Sequence, residues 1–360
     1  MTGQHRIVVL GAGYAGLSAA GALARAGEAR VTVVDARSRF VERVRLHQLA
    51  AGQRVPSWEL AEALGRKGVD FVQGRAVSID PAAKRIALAD GTDLGYDFLV
   101  YAVGSAADVE SVAGVREYAH TVATLTDVER WAAVTGRVAV VGGGSTGIET
   151  AAELAESRPE LAVALVSSEE PGAWLSDGAR RHIRAALDRL GVEVQSGAKV
   201  VEVLPDGLRL ADGSRIDAEN MLWTTGFEVP RLAAEAGLSV DGRGRLLVDE
   251  TLRTSDPDIY AAGDCAAIAG PGGRELRMAC ATALPTGSHA AASVRARLRG
   301  DEPAPLRFRY YLQCLSLGRH DAVVQFVRRD DTPTRRILTG RTAAWVKERI
   351  VRGAARPVRR

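Results

Sequence analysis

Cysteine, histidine and methionine are scarce in this chain: three, six and three of 360 residues. Cys265, Cys280 and Cys314 form no C-x-x-C or other short pair, so a disulfide framework is excluded and a reduced, cytoplasmic protein is expected. The histidines show no ligand spacing, so no metal site is expected. No apolar run approaches the roughly 20 residues of a membrane-spanning helix. The first apolar run begins at Ile7, so no cleaved secretory segment is expected. A Ser/His/Asp cluster is also missing, so little acid–base catalysis is expected of the protein itself. Acidic excess is missing too, but the balance is uneven. Arg335 to Arg360 holds nine Lys/Arg and one acid, Glu348, while the body before it is mildly acidic. Such a tail suits an anionic partner. Ala343, Val346 and Ile350 share one helical face there, beside Trp345 and Val351. That composition fits a helix lying on an anionic membrane surface, or a basic tail packed by one face on its own domain. No nucleic-acid partner is expected.

Glycine is abundant, and two glycine clusters organise the chain. Ile7 to Leu10 is an unbroken apolar run, as in a parallel strand buried on both faces. It ends in Gly11-Ala12-Gly13-Tyr14-Ala15-Gly16, and an alanine-rich helical pattern follows. Strand, glycine turn and helix are the context of a dinucleotide-binding fingerprint. Gly11 makes the tight turn, Gly13 admits a pyrophosphate, and Gly16 lets helix pack on strand. The helix N-terminus offers N–H groups and partial positive charge to the diphosphate. The next strand ends at Asp35, 24 residues past Gly11, where an acid can accept from a ribose.

The pattern returns at Arg137 to Val141, with Gly142-Gly143-Gly144-Ser145-Thr146-Gly147 and a helix behind it. Two fingerprints imply two dinucleotides. The residue matching Asp35 is Ser167, followed by Ser168, Glu169 and Glu170. Neither an acid nor an arginine stands at that position, so the choice between NADH and NADPH is open. It leans slightly to NADH because the two glutamates would repel a 2′-phosphate.

Each half adds a small antiparallel insert and a closing strand that ends on glycine, at Gly104 and at Gly226. Ile259 to Ala262 then leads to Gly263-Asp264, a carboxylate at a strand's C-terminal edge, where doubly wound sheets bind ligands. Ala281 to Gly287 opens an alanine-rich helix with Pro285 in its first turns. Its N-terminus would suit a reduced, anionic ring. Helices are also expected at Pro56–Gly68, Asp127–Val134 and Asp177–Gly191, and strands at Phe308–Leu317 and Ala322–Val327. His47 suits either a cofactor ring or an ordinary loop. The fold expected is α/β: two Rossmann-like, doubly wound domains, the second inserted in the first, plus a small C-terminal α+β region. The boundaries expected are 1–110 with 246–300, then 111–245, then 301–360 carrying the basic amphipathic tail.

These motifs, in this order, resemble the two-dinucleotide-fold flavoprotein reductases. The chain looks most like the type II NADH dehydrogenase and apoptosis-inducing-factor-like group, over residues 6 to 300. The resemblance implies FAD in the first fold and NAD(P)H as co-substrate in the second. It implies FAD contacts at Gly11, Gly13, Tyr14, Ala15, Gly16, Asp35, Ala36, Arg45, His47, Ala76, Val77, Ala102, Gly104, Gly263, Asp264 and Ala283. Asp264 would bond the ribityl chain. Nicotinamide-dinucleotide contacts are implied at Gly142, Gly144, Thr146, Gly147, Ser167 and Gly226, with Glu149 near the nicotinamide. Disulfide-reducing flavoproteins carry a redox cysteine pair where this chain has Ala36 to Gln53 and none. Electrons would therefore pass straight to an outside acceptor. Where quinone-reducing members usually carry two glutamines, Thr282 and Thr286 stand, and they are the expected acceptor-facing residues with Glu149. Sulfide-oxidising relatives need cysteines beside the flavin, and the three here do not match that arrangement clearly. A quinone or quinone-like acceptor leads. A soluble reductase for another small molecule or an iron–sulfur protein, and a redox-sensing interaction module, are the alternatives. A monomer or homodimer, cytoplasmic or peripheral on the inner face of the cell membrane, is expected.

Overall fold

The computed structural model describes residues 4–356 apart from Arg130, Ala132 and Ala133. His5–Leu10 lies at the centre of a five-stranded parallel sheet. Ala29–Asp35 and then Asp70–Gln73 flank it on one side, Phe98–Tyr101 and then Ile259–Ala261 on the other. Ile7, Val9, Val33, Leu99 and Tyr260 are essentially inaccessible, as a sheet covered on both faces requires. The last strand joins from about 160 residues further along the chain, through Ile259 beside Leu99. A second parallel sheet repeats the plan in the order Ala119–Thr121, Asn220–Trp223, Arg137–Val141, Ala162–Ser167 and Glu193–Ser196. Each sheet carries a three-stranded antiparallel insert, starting at Ala76–Asp80 and at Val200–Leu204. Ala106–Ala107 and Phe227–Glu228 pair where the chain passes between the halves.

Local departures have local causes. In the stretch expected to be helical from Pro56, Ser57–Glu59 instead pairs with Arg39–Val41, because Trp58 packs its ring 5.9 Å from that of Phe40 across the pair. Only Leu60–Gly65 is helical. The helix expected at Asp127–Val134 begins earlier, at Leu125, where Thr124 and Asp127 bond each other reciprocally as a capping pair. Its far end falls partly on residues outside those described.

The C-terminal region is an antiparallel sheet of Leu312–Ser316, Ala322–Val327 and Pro333–Thr339, covered by the helix Gly340–Ala354. The segment from Arg335 is therefore a third strand before it is a helix. Ile337 and Thr339 suit a strand, and Gly340, at φ 71°, turns the chain into the helix. That helix buries Ala343, Lys347, Val351 and Ala354, leaving Trp345 62% exposed and Ile350 at the edge of the surface. The buried stripe is not the expected Ala343–Val346–Ile350 face. It is rotated so that Lys347 points inward, where its ammonium finds partners.

Candidate functional site

The first glycine turn has the shape that a diphosphate needs. A Cβ on Gly11 would stand 2.3 Å from the Ala102 carbonyl oxygen, and one on Gly16 would stand 1.8 Å from that of Gly11. A Cβ on Gly13 would meet nothing within 4 Å, so the turn is tight underneath and open above. Gly13 caps the Tyr14–Ala26 helix without a side-chain acceptor, which leaves the first-turn N–H groups directed outward for an anion. Asp35 accepts from Ala12 N at 2.7 Å and from the Arg37 guanidinium at 3.0 Å. Burial pushes its carboxyl up, but Arg37 and the Ala12 amide outweigh burial and hold it below the usual range. Ala36 is exposed at its shoulder, and Ala76 follows the neighbouring strand, with Val77 half-exposed. These residues fit the adenosine diphosphate half of FAD.

The other half meets the strand edge at Gly263 and Asp264. Ser105 donates to Asp264 at 2.8 Å, and Arg43 bonds the Ser105 carbonyl at 2.8 Å. Gly104 sits beside them at φ 73°. The Cys280–Leu298 helix closes the crevice by packing on the Tyr14–Ala26 helix. A Cβ on Gly287 would strike the Ala15 carbonyl at 2.1 Å, and Gly263 faces the Ala15 and Ala283 methyls. Gly287 was not singled out from the sequence, although its place after Pro285-Thr286 at a helix start is a usable signal. Thr282 and Thr286 line the crevice but are buried, and their hydroxyls are committed to backbone. Thr282 donates to the Arg277 and Ala279 carbonyls at 2.7 Å. Thr286 donates to the Thr282 carbonyl at 2.8 Å and accepts from Gly263 N at 3.2 Å. They hold the helix start to the strand edge and do not present hydroxyls to an acceptor, a correction to the role expected of them. Burial raises all three thiols, Cys265 and Cys314 to about 12, so none offers a thiolate at neutral pH.

The second turn repeats the first. A Cβ on Gly147 would stand 1.8 Å from the Gly142 carbonyl oxygen, and Gly144 is open above. Gly144 caps the Ser145–Ser157 helix without a side chain, and the Thr146 carbonyl accepts from the Thr150 hydroxyl within it. Ser167 is buried, 2.2 Å from where a Gly143 Cβ would be, and accepts from Glu169 N at 3.3 Å. Glu170 is engaged by Ser196 at 2.7 Å and by Arg184 at 3.3 Å. No arginine is near in sequence; the fold brings Arg184 in from the next helix. Gly226, at φ 76°, accepts from Asp108 N at the opposite lip.

Between the two turns runs a polar seam that the sequence reading largely missed. Glu149 accepts from Ser316 N at 2.9 Å, from the Ser316 hydroxyl at 3.2 Å and from the Lys347 ammonium. Lys347 also donates to the Ser316 hydroxyl at 2.9 Å. Burial, with Arg45 nearby, lowers Lys347 to about 7. The next residue, Glu348, takes both guanidinium nitrogens of the buried Arg45, at 2.7 and 2.9 Å, and Arg45 also bonds Glu42. Arg45 and His47, both among the implied FAD contacts, lie in this seam, where the Arg43–Arg45 turn and the C-terminal helix meet. A signal for Lys347 existed. It is one of four lysines in a chain that otherwise uses arginine, on a helix where every other cation is arginine.

The fold and this geometry define an NAD(P)H-dependent flavoprotein oxidoreductase, with FAD as its cofactor. The family model for pyridine nucleotide-disulphide oxidoreductases matches residues 5–290, and the chain belongs to that family. It is 32% identical to an NADH dehydrogenase-like protein of Mycobacterium tuberculosis over 88% of this chain and 87% of that one. It is 26% identical to the type II NADH:quinone oxidoreductase of Staphylococcus saprophyticus, over 96% and 94%. Among solved structures, NDH2 from Plasmodium falciparum in complex with NADH superposes with a TM-score of 0.82 at 14% identity, covering 97% of this chain and 94% of that one.

Proposed function

We propose that this chain is an NADH:quinone oxidoreductase whose acceptor chemistry is governed by Glu149. The observation that carries the reading is the placement of that carboxylate. Glu149 stands two residues past Gly147, on the helix that receives the nicotinamide dinucleotide, and is held by Lys347 and Ser316 from the C-terminal region. FAD, when bound, would accept the reducing equivalents of NADH and hand them on as a pair. The protein's residues orient the partners and move one proton, because NADH + H⁺ + quinone gives NAD⁺ + hydroquinone. Glu149, beside an ammonium that titrates near neutrality, is placed to hold that proton. The absence of a cysteine pair between Ala36 and Gln53 favours a small acceptor over a disulfide.

The same reading assigns the first nucleotide domain to 1–110 with 246–300, the second to 111–245, and acceptor docking to 301–360. No helix among the described residues is long and apolar enough to cross a membrane. The C-terminal helix instead exposes Trp345 with Arg349 over its ring at 5.3 Å, together with Arg341 and Ile350. Cations around an apolar tip fit peripheral contact with an anionic lipid surface, where a quinone would be met.

The test is stopped-flow. Purified protein carries FAD, NADH bleaches it, and menadione restores the colour in preference to a ferredoxin. Protein that takes up no FAD ends the reading. Sedimentation with anionic vesicles falls in Trp345→Ala/Arg349→Ala; equal sedimentation removes the membrane part alone.

A further inference from the structure

A second polar cluster, separate from the Glu149 seam, converges on the flavin crevice. Arg277 lies just before the Cys280–Leu298 helix and lines the crevice with Gly263, Asp264 and Met278. Its backbone is pinned on both sides. Arg277 N donates to the Tyr310 hydroxyl at 2.8 Å, and the Arg277 carbonyl accepts from Thr282 at 2.7 Å. The guanidinium lies over the Tyr310 ring, 4.8 Å from its centroid. Its Nε and Nη2 edge meets the Asp331 carboxylate, with Nη2 donating at 3.3 Å. Nη1 has no hydrogen-bond partner among the described residues, and the side chain is 37% exposed.

The partner of that guanidinium is itself held at a cost. Asp331 sits in the turn between Ala322–Val327 and Pro333–Thr339 at φ 71°, backbone that glycine occupies with least strain. Its carboxylate also accepts from Gln313 Nε2 at 3.0 Å. Gln313 is buried, and its amide oxygen accepts from the Trp174 indole at 2.7 Å. The Trp174 loop is bonded to the second glycine turn, Gly172 N to the Gly143 carbonyl at 3.1 Å. The second nucleotide domain and the C-terminal sheet thus join in fixing one guanidinium at the crevice. The Cys280 and Cys314 thiols lie within its field, and burial keeps both neutral, so they do not compete with a ligand for it. A clasp between domains needs only the Arg277–Asp331 pair. It does not call for an open donor edge on a residue that lines the crevice.

We propose that Arg277 binds the acceptor, its free Nη1 donating to a quinone carbonyl oxygen, and that Asp331, Gln313 and Trp174 position it. The proposal rests on the quinone reductase reading. The overall reaction stays NADH + H⁺ + quinone to NAD⁺ + hydroquinone, so one hydroquinone proton comes from NADH and one from solution. Negative charge gathers on the quinone oxygen as it takes the electron pair. A guanidinium already fixed in place stabilises that oxygen more in the transition state than in the ground state. Arg277 gives up no proton itself, because a guanidinium acts here as donor only. Asp331, Gln313 and Trp174 are positioning residues that act through Arg277. The site therefore selects acceptors that carry a carbonyl oxygen.

The test uses the FAD-loaded full chain with Arg277→Gln, Asp331→Asn and Trp174→Phe. Reoxidation by menadione slows about tenfold to a hundredfold in Arg277→Gln, the range for losing a charge-assisted donor, and less in the other two. The loss in Arg277→Gln falls on kcat as well as on KM. Reoxidation by hexaammineruthenium(III), a cation with no oxygen to bind, keeps its rate. Guanidinium ion restores menadione reoxidation to Arg277→Ala. Without turnover, quenching of the oxidised flavin by menadione gives a higher Kd in Arg277→Gln than in wild type. Arg277→Lys keeps a cation beside Asp331 and loses the second donor edge, so it carries the same test where Arg277→Gln loses its flavin. Equal slowing with both acceptors, or no slowing with menadione, overturns the assignment of Arg277 and leaves the quinone reading standing. Wild type that NADH does not bleach, or that menadione does not reoxidise, overturns both.

Discussion

The two nucleotide-binding turns have nearly the same backbone and different surroundings. Gly16 and Gly147 each leave 1.8 Å between a would-be Cβ and the carbonyl of the glycine that opens the turn, and Gly13 and Gly144 are each open above. Two residues past Gly16 stands Ser18, which donates to the Leu284 carbonyl at 2.8 Å; two past Gly147 stands Glu149, held by Lys347 and Ser316. At the end of the second strand, Asp35 faces the first turn and Ser167 the second. The first turn is closed over by backbone packed on backbone, at Gly287 against Ala15. The second is bordered by a carboxylate, Glu149, held by the Lys347 ammonium and Ser316. A turn sealed by backbone suits a cofactor that stays. A turn bordered by titratable groups suits a nucleotide that leaves after each cycle, and it puts the chemistry on the exchanging side.

The largest expected effect breaks that comparison at the glycines. Gly16→Ala and Gly147→Ala each force a methyl onto a backbone oxygen that cannot move aside, at a cost of about 3 kcal/mol or more. Gly16→Ala yields protein without FAD. Gly147→Ala stays yellow but is bleached by NADH at least tenfold more slowly. FAD content by absorbance and stopped-flow bleaching decide it. If Gly147→Ala also loses its flavin, the two turns do not divide the labour in this way.

A smaller effect sharpens the contrast through Lys347. Its affinity for a proton is lowered, to about 7, so the ammonium that bonds Glu149 and Ser316 is present below that pH and lost above it. Quinone-dependent turnover therefore falls as pH rises through about 7. Lys347→Gln lowers turnover at pH 6 about tenfold and flattens that limb. FAD content does not change, because no first-turn group contacts Lys347. A limb that persists in Lys347→Gln assigns the ionisation elsewhere.

Legibility followed the range over which each signal acts. The glycine turns could be read because each is a local requirement: φ is positive at Gly11 and Gly142, and a side chain at Gly16 or Gly147 would meet backbone five residues away. Asp264 could be read because a carboxylate at a strand's C-terminal edge is a local pattern too. The seam could not. Its members come from residues 45 to 53, 149 to 157, 316 to 319 and 347 to 348, and only the tertiary fold brings them together. The C-terminal helix shows the cost of that gap. Hydrophobicity alone placed Ile350 inward, whereas Lys347 is the buried residue because Glu149 and Ser316 offset the penalty of burying its charge. Thr282 and Thr286 failed for the opposite reason. Threonine near a helix start serves the backbone as readily as a ligand, and here the backbone claims both.

The smallest effect concerns which nicotinamide cofactor the second turn prefers. Asp35 offers the first turn a buried carboxylate; Ser167 offers the second a buried hydroxyl already accepting from Glu169 N. Ribose recognition then falls to Glu169, because Ser196 and Arg184 occupy the Glu170 carboxylate. An exposed carboxylate discriminates weakly, since water screens its repulsion of a 2′-phosphate. The expected outcome is a preference for NADH over NADPH of about tenfold or less in kcat/KM. Glu169→Gln moves that ratio toward unity by about threefold, an effect near 0.7 kcal/mol. Glu170→Gln acts further, because it leaves the Arg184 guanidinium paired with Asp188 alone and freer to meet the phosphate. Parallel bleaching rates with the two nucleotides measure the ratio. If Glu169→Gln leaves it unchanged while Glu170→Gln reverses it, Arg184 and not the position matching Asp35 sets nucleotide choice.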